Sequence, residues 1–179
     1  MKKRIPVYCA AFAVSLAAVV WAHEDKSMNM PMLASSASFN QMKQLVGNWK
    51  GTTNMGHSGK PEAVSTSFKL TSAGSAIQET LGPGTPNEMV DMYTDEGGKL
   101  AMTHYCAMGN QPHMRLQRSD AKTIVLETTS VPGLDPAKDA HMHSLTLSMP
   151  DPNKLVETWT SYAAGKPSEP AVFEFARVP

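Results

Sequence analysis

The stretch Glu88-Met89-Val90-Asp91-Met92-Tyr93-Thr94-Asp95-Glu96-Gly97-Gly98-Lys99-Leu100-Ala101-Met102-Thr103-His104-Tyr105-Cys106-Ala107 decides the fold. Two runs with period-two alternation flank Asp95-Glu96-Gly97-Gly98, whose paired glycines read as the turn of a β-hairpin. The second run ends at Gly109-Asn110-Gln111-Pro112, and a further strand, His113 to Arg118, follows at once. The same grammar extends in both directions. Upstream lie Asn48 to Thr53, Val64 to Thr71 and Ala76 to Leu81, separated by a Gly56/Gly59/Pro61 loop, by Ser72-Ala73-Gly74 and then by Gly82-Pro83-Gly84-Thr85-Pro86. Downstream lie Thr123 to Thr129, His141 to Met149, Lys154 to Tyr162 and Ala171 to Arg177. Turn signals every ~8–12 residues are the mark of an antiparallel sandwich or barrel.

Only one segment departs from this pattern. Phe39, Met42, Leu45 and Val46 recur at helical spacing after Ser38, a plausible N-cap, and Gly47 ends the run. One short helix followed by about ten strands favours an all-β fold, an antiparallel meander barrel of lipocalin-like architecture, because closure removes exposed sheet edges. Alternation gives the facing. Leu100, Met102, His104, Cys106 and Met108 form the more apolar parity of their strand and are expected inside, as are His141, His143, Leu145, Leu147 and Met149. Phe68, Leu70, Ile77, Leu81, Leu116, Ile124, Leu126, Trp159, Phe173 and Phe175 supply the rest of the lining, with the acidic Glu79 and Glu157 on the same parities.

The N-terminus reads as an export signal. Lys2, Lys3 and Arg4 precede an apolar run from Ile5 to Trp21, and Val20-Trp21-Ala22 offers a peptidase site before the abruptly polar His23-Glu24-Asp25-Lys26. Residues 1–22 are thus expected to be removed, leaving no stable membrane anchor. Residues 23–38 form a small, polar, methionine-rich leader without helix or strand periodicity, and the domain runs from 39 to 179. The full chain balances 16 Lys and Arg against 16 Asp and Glu, so losing the three basic residues makes the product mildly acidic. Nothing in that balance suits a nucleic acid or an anionic membrane as partner. Cys9 leaves with the signal, and Cys106 remains as a lone thiol, so no internal disulfide is expected in a periplasmic or secreted protein.

Gly47-Asn48-Trp49 opens the first strand directly after the helix, and Arg177 closes the last strand two residues from the end. This pairing is similar to the calycin superfamily, the lipocalins and ten-stranded relatives such as fatty-acid-binding proteins and nitrobindins. The resemblance implies that Gly47, Trp49 and Arg177 are structural, the guanidinium lying over the indole at the closed end. The wider run Leu45 to Gly51, with Thr103 to Pro112 and His141 to Leu145, also resembles a group of uncharacterised exported bacterial proteins with lipocalin-like barrels. That likeness covers most of residues 39–179 and brings no established activity. The chain has no clear match to the nitrobindin haem-ligand strand near the C-terminus, which puts haem in doubt.

Three places could carry chemistry. The first is the interior set His104, Cys106, His141 and His143. Residues two apart on a strand project to one face ~6.5–7 Å apart, so His-x-Cys and His-x-His each present two ligands in one direction, suited to zinc or copper. The two strands are not sequence neighbours, so in a meander the pairs meet only across the lumen. The blander reading is a polar pocket in which the histidines bond to Glu79, Glu157 or water beside Trp159. A catalytic version makes Cys106 the nucleophile, His104, His141 or His143 the base and Glu157 the orienting group, yet no motif sets these at a recognisable catalytic spacing. The second place is the loop Gly82 to Asn87 with the turn Gly109 to His113, where Asn110 and Gln111 are candidate ligand contacts. The third is His23 with Met28, Met30 and Met32, thioethers that would suit Cu(I).

These readings converge on an exported barrel that binds a small, partly polar molecule, with an apolar one as the alternative, in a partly polar His/Cys-containing pocket, a binding protein in preference to an enzyme. The alternatives are a periplasmic copper or zinc binder and a hydrolase with Cys106 as nucleophile. The 13 methionines against 7% aromatics read mainly as adaptable barrel lining.

Overall fold

The computed structural model describes residues 35–55 and 60–179. The signal segment, most of the leader and the Met28, Met30 and Met32 set lie outside the described residues. Helix α1, Ala37–Met42, continues into a 3-10 turn at Lys43–Leu45. Ten strands follow as β1 Gly47–Thr53, β2 Glu62–Thr71, β3 Ala76–Leu81, β4 Met89–Asp95, β5 Leu100–Tyr105, β6 His113–Ser119, β7 Thr123–Ser130, β8 His141–Asp151, β9 Lys154–Ala163 and β11 Ala171–Arg177. A two-residue strand, β10 Lys166–Pro167, extends the edge of β9.

Every pairing is antiparallel. Each strand from β1 to β9 pairs with the next, β9 pairs with β11 and β11 pairs with β1, which closes the sheet into a meander barrel. The tight turns have the chemistry read from the sequence. Gly97 and Gly98 stand at φ 63° and 80°, the positive angles of the two-residue turn whose twist matches the flanking strands, and Glu96 N–H donates to the Lys99 carbonyl at 2.9 Å.

The helix closes one end. Its cap is Ser36, whose hydroxyl accepts from Phe39 N–H at 3.2 Å. Ser38, the expected cap, is instead buried within the helix and bonded to Ser119 Oγ at 2.9 Å. The helix therefore starts two residues earlier than a Ser38 cap implies, because a tertiary partner claims that hydroxyl. Phe39, Met42 and Leu45 then bury against Trp49. Arg177 seals the seam: its guanidinium carbon lies 4.2 Å from the centre of the Trp49 ring, while Nη1, Nη2 and Nε donate to the carbonyls of Val46, Gln44 and Pro152 at 3.0, 2.6 and 3.1 Å. Gly51 is required by close approach, since a Cβ there would fall 1.8 Å from the Glu174 carbonyl oxygen on β11.

Three side-chain rows cross β3, β4 and β5 inside the barrel. The row nearest the helix joins Ile77, Tyr93, Met102 and Met114. The next joins Phe68, Glu79, Asp91 and His104 as directly opposed residues, and beyond it Leu81 faces Met89. A packed apolar floor, a polar belt and an open mouth thus follow one another along the barrel.

Candidate functional site

The belt holds four buried ionisable side chains. Glu79, Asp91 and Glu157 are fully buried, and His104 is 1% exposed. Each arrives there by strand parity, Glu79 from β3, Asp91 from β4, His104 from β5 and Glu157 from β9. His104 Nδ1 meets Asp91 Oδ1 at 2.6 Å, and its ring lies 4.6 Å from that of Trp159. Glu79 accepts from Thr66 Oγ1 at 2.7 Å and from the Tyr93 hydroxyl at 2.9 Å, and Trp159 Nε1 donates to Glu157 Oε2 at 3.2 Å.

Electrostatics follow from this burial. Burial, reinforced by the charges of Glu157 and Asp91, holds the Glu79 carboxyl protonated well above the usual range. Burial raises Glu157 as well, to about 7, against the opposing help of Glu79 and Trp159. At His104 burial opposes the charged ring, but the charge and hydrogen bond of Asp91, with a further contribution from Cys106, win and raise it to about 10. Burial also pushes the Cys106 thiol up, yet His104 and the Met108 backbone N–H outweigh it and the thiol lies below its ordinary value. Three atoms of the cluster, Asp91 Oδ2, His104 Nε2 and Glu157 Oε1, are buried with no hydrogen-bond partner.

Above the belt, a cavity of about 750 Å3 opens between the β1–β2 and β3–β4 ends of the wall. Val64, Leu81, Met89, Met142 and Phe173 give it an apolar lining, Met55 and Met108 flank it, and Cys106 borders it. A crevice of about 10 Å3 bordered by His104, Met89, Met142 and Trp159 lies against the belt.

The expected site residues divide. His104, Cys106, Glu79, Glu157 and Trp159 are all buried and belong to the belt or its border. His141 and His143 leave it. Leu155, Glu157 and Trp159 point inward on β9, so Tyr162 points outward, and His141 is the Cα partner of Tyr162. The His143 ring stacks on Tyr162 at 3.8 Å, its Nδ1 lies 3.4 Å from His141 Nε2, and His141 Nδ1 lies 2.9 Å from the Asp139 carbonyl oxygen. The cause is a register irregularity between Met142 and Ser144. One extra residue reverses the parity of a strand segment, placing Met142 at the cavity and both histidines on the outer side of the wall, where His141 is nonetheless buried at 1% exposure. Consistently, among the described residues no three His, Cys, Asp or Glu side chains gather where they could hold a metal ion. Met108, expected inside, is 50% exposed because it has passed the end of β5 into the turn.

Asn110 and Gln111 serve the turn. Asn110 donates to the Ala140 carbonyl at 3.0 Å and accepts Cys106 N–H through its own carbonyl at 3.1 Å, and Gln111 donates to the Gly109 carbonyl at 3.3 Å. Neither lines the cavity, whereas Gly82, Thr85 and Asn87 of the other loop do. Asp91 was not among the expected residues. Its signal was an acid between Met89 and Tyr93 on an inward parity of β4.

No family model and no curated protein matches the chain. Solved structures do. Rv2717c from M. tuberculosis superimposes with a TM-score of 0.55 at 13% identity, over 82% of this chain and 100% of that one. A protein of unknown function from the DUF3598 family of Nostoc punctiforme PCC 73102 gives 0.50 at 13% identity, over 81% of this chain and 51% of that one. At such identities the likeness is one of fold.

Proposed function

We propose that this chain is an exported, calycin-like barrel that binds a small, mainly apolar molecule in the mouth cavity, its polar end directed at the belt. The observation that carries this reading is the cavity itself: about 750 Å3, apolar-walled, and underlain by three buried polar atoms without partners. Cavities of ~300–1,000 Å3 with a few convergent polar groups are the usual form of small-molecule sites. The methionines Met55, Met89, Met108 and Met142 around it supply a wall that repacks around different shapes. The Trp49–Arg177 seal supports the calycin assignment, and the Lys2 to Ala22 segment supports export to the periplasm or beyond.

The test is binding of 1-anilinonaphthalene-8-sulfonate, read by its fluorescence and by quenching of Trp159, with native mass spectrometry of the purified protein for a retained ligand. One probe per barrel is expected, with at least a tenfold weaker affinity in Met142→Trp, which fills the cavity. Equal affinity in a folded Met142→Trp variant refutes the site.

A further inference from the structure

We infer that Cys106 is a nucleophile for acyl groups, placed beside His104 and Asp91 to accept the acyl chain of an apolar ester or thioester seated in the mouth cavity. This deepens the ligand-binding reading and rests on it.

The geometry supplies the parts in order. Asp91 engages His104 through Nδ1 at 2.6 Å, which leaves Nε2 as the free nitrogen of a ring 1% exposed. That nitrogen is buried with no hydrogen bond of its own, yet His104 lies close enough to Cys106 for each to shift the other, and its ring borders the small crevice that Met89 and Met142 share with the cavity. Cys106 follows two residues on, just past the end of β5 where the turn begins, and borders the cavity itself. Carboxylate, imidazole and thiol in that sequence form the arrangement that activates a nucleophile. A cysteine serving only as a small apolar filler would need none of it. The thiol is accordingly held below its ordinary value, burial being outweighed by His104 and the Met108 N–H.

The step balances without a co-reactant. The thiolate adds to the acyl carbonyl, the bond to the leaving oxygen or sulfur breaks with its electron pair on that atom, and His104 Nε2 gives it a proton. S-acyl Cys106 and a neutral imidazole remain. Water, surrendering a proton to the same nitrogen, releases the carboxylic acid and restores the pair. His104 and Cys106 touch reacting atoms, while Asp91 is a positioning residue.

The experiment treats the purified mature chain with 4-nitrophenyl hexanoate and reads both the 4-nitrophenolate burst and the intact mass. About one equivalent of burst and one hexanoyl group on Cys106 are expected. Cys106→Ser should abolish both. Asp91→Asn, checked for an unchanged melting temperature, should slow acylation at least 100-fold and move its pH profile upward. Wild-type alkylation by iodoacetamide needs no variant and should inflect below pH ~8.5, the free-thiol value. The groups facing this pair are Glu79 on β3, Asp91 on β4 and Glu157 on β9, with Lys50 and Glu62 at the mouth. No burst and no mass gain while the anilinonaphthalene probe still binds overturns the nucleophile alone, whereas loss of probe binding in the wild type refutes the cavity reading. A hexanoyl adduct that persists in Cys106→Ser, or one equivalent of zinc or copper that blocks the burst and is lost in that variant, also overturns it.

Discussion

Replacing Glu157 by Gln should stabilise the barrel at pH 8 and leave it unchanged near pH 4.5. Glu157 is raised from 4.5 to about 7 in the fold, so between those values the folded state holds a proton that the unfolded chain has released. Stability is therefore at its full value below pH 4.5 and falls as pH rises through 7. At about 1.4 kcal/mol per pH unit, ionising this buried carboxyl removes about 3 kcal/mol, an upper figure because the protonated Glu79 shares the burden. Gln keeps an oxygen to accept the Trp159 indole N–H, now at 3.2 Å, without the charge. His104 adds a second decline in the same direction: raised from 6.5 to about 10, its contribution is complete below 6.5 and lost toward 10. Glu79, held protonated well above the usual range, declines in the same direction in both proteins, so urea unfolding followed by tryptophan fluorescence at pH 4.5, 6, 7 and 8 isolates Glu157 as the difference between wild type and variant. The wild-type midpoint should fall steadily, and Glu157→Gln, in which Glu79 still holds its proton, should fall less steeply and exceed the wild type at pH 8 by about 1 M or more, given typical urea slopes. A wild-type midpoint that is constant from pH 4.5 to 7, or a variant equally destabilised at every pH, refutes the reasoning, since Glu157 would then be a satisfied structural ion.

Other perturbations follow from the closed end and from the outer face. Arg177→Ala removes three hydrogen bonds to carbonyls and the contact with Trp49, and should lower stability by about 2–3 kcal/mol, with Arg177→Lys recovering little of it in thermal melts. Gly51→Ala should cost more than about 3 kcal/mol or prevent soluble expression, because its Cβ would occupy the space of the Glu174 carbonyl. His143→Ala should leave anilinonaphthalene binding unchanged in a fluorescence titration, since the ring stacks on Tyr162 outside the lumen.

Strand limits were legible where glycine and proline bracket an alternating run. Ala76–Leu81 and Ala171–Arg177 were read at their observed ends, because the punctuation acts locally: Gly74 and Gly82 at positive φ bracket the first and Pro170 precedes the second. What escaped was set by distant partners. Ser36 and Ser38 are equally good caps in isolation, and only Ser119, on the far side of the chain, decides between them. The His141–Met149 parity assumed an unbroken pleat, but the extra residue at His143 is set by the register of β8 on β9, which no local pattern encodes. Asp91 escaped for another reason. Its place on an inward parity was visible, yet the partner that gives it a role, His104, is set by the β4–β5 register.

The polar belt has an energetic argument behind it that bears on function. Three carboxyls and an imidazole in a barrel lumen are an expensive way to fill it, because desolvating charges commonly outweighs their mutual attraction and apolar residues of like volume are often as stable or better. The row next to them, Ile77, Tyr93, Met102 and Met114, shows that this barrel packs largely apolar side chains one level nearer the helix without difficulty. Asp91 and His104 satisfy one another, but one oxygen of Asp91, one of Glu157 and one nitrogen of His104 remain unpartnered, each a loss of about 1–3 kcal/mol. Asp95 Oδ1 and Asn110 Oδ1 are also buried without a partner, each alone at a strand end or turn, whereas these three share the level just beneath the cavity. A stability-driven interior has no reason to gather three such defects at one level. Sited between a packed floor and a methionine-lined opening, they match what a molecule with an apolar body and a polar end needs to be held in one orientation.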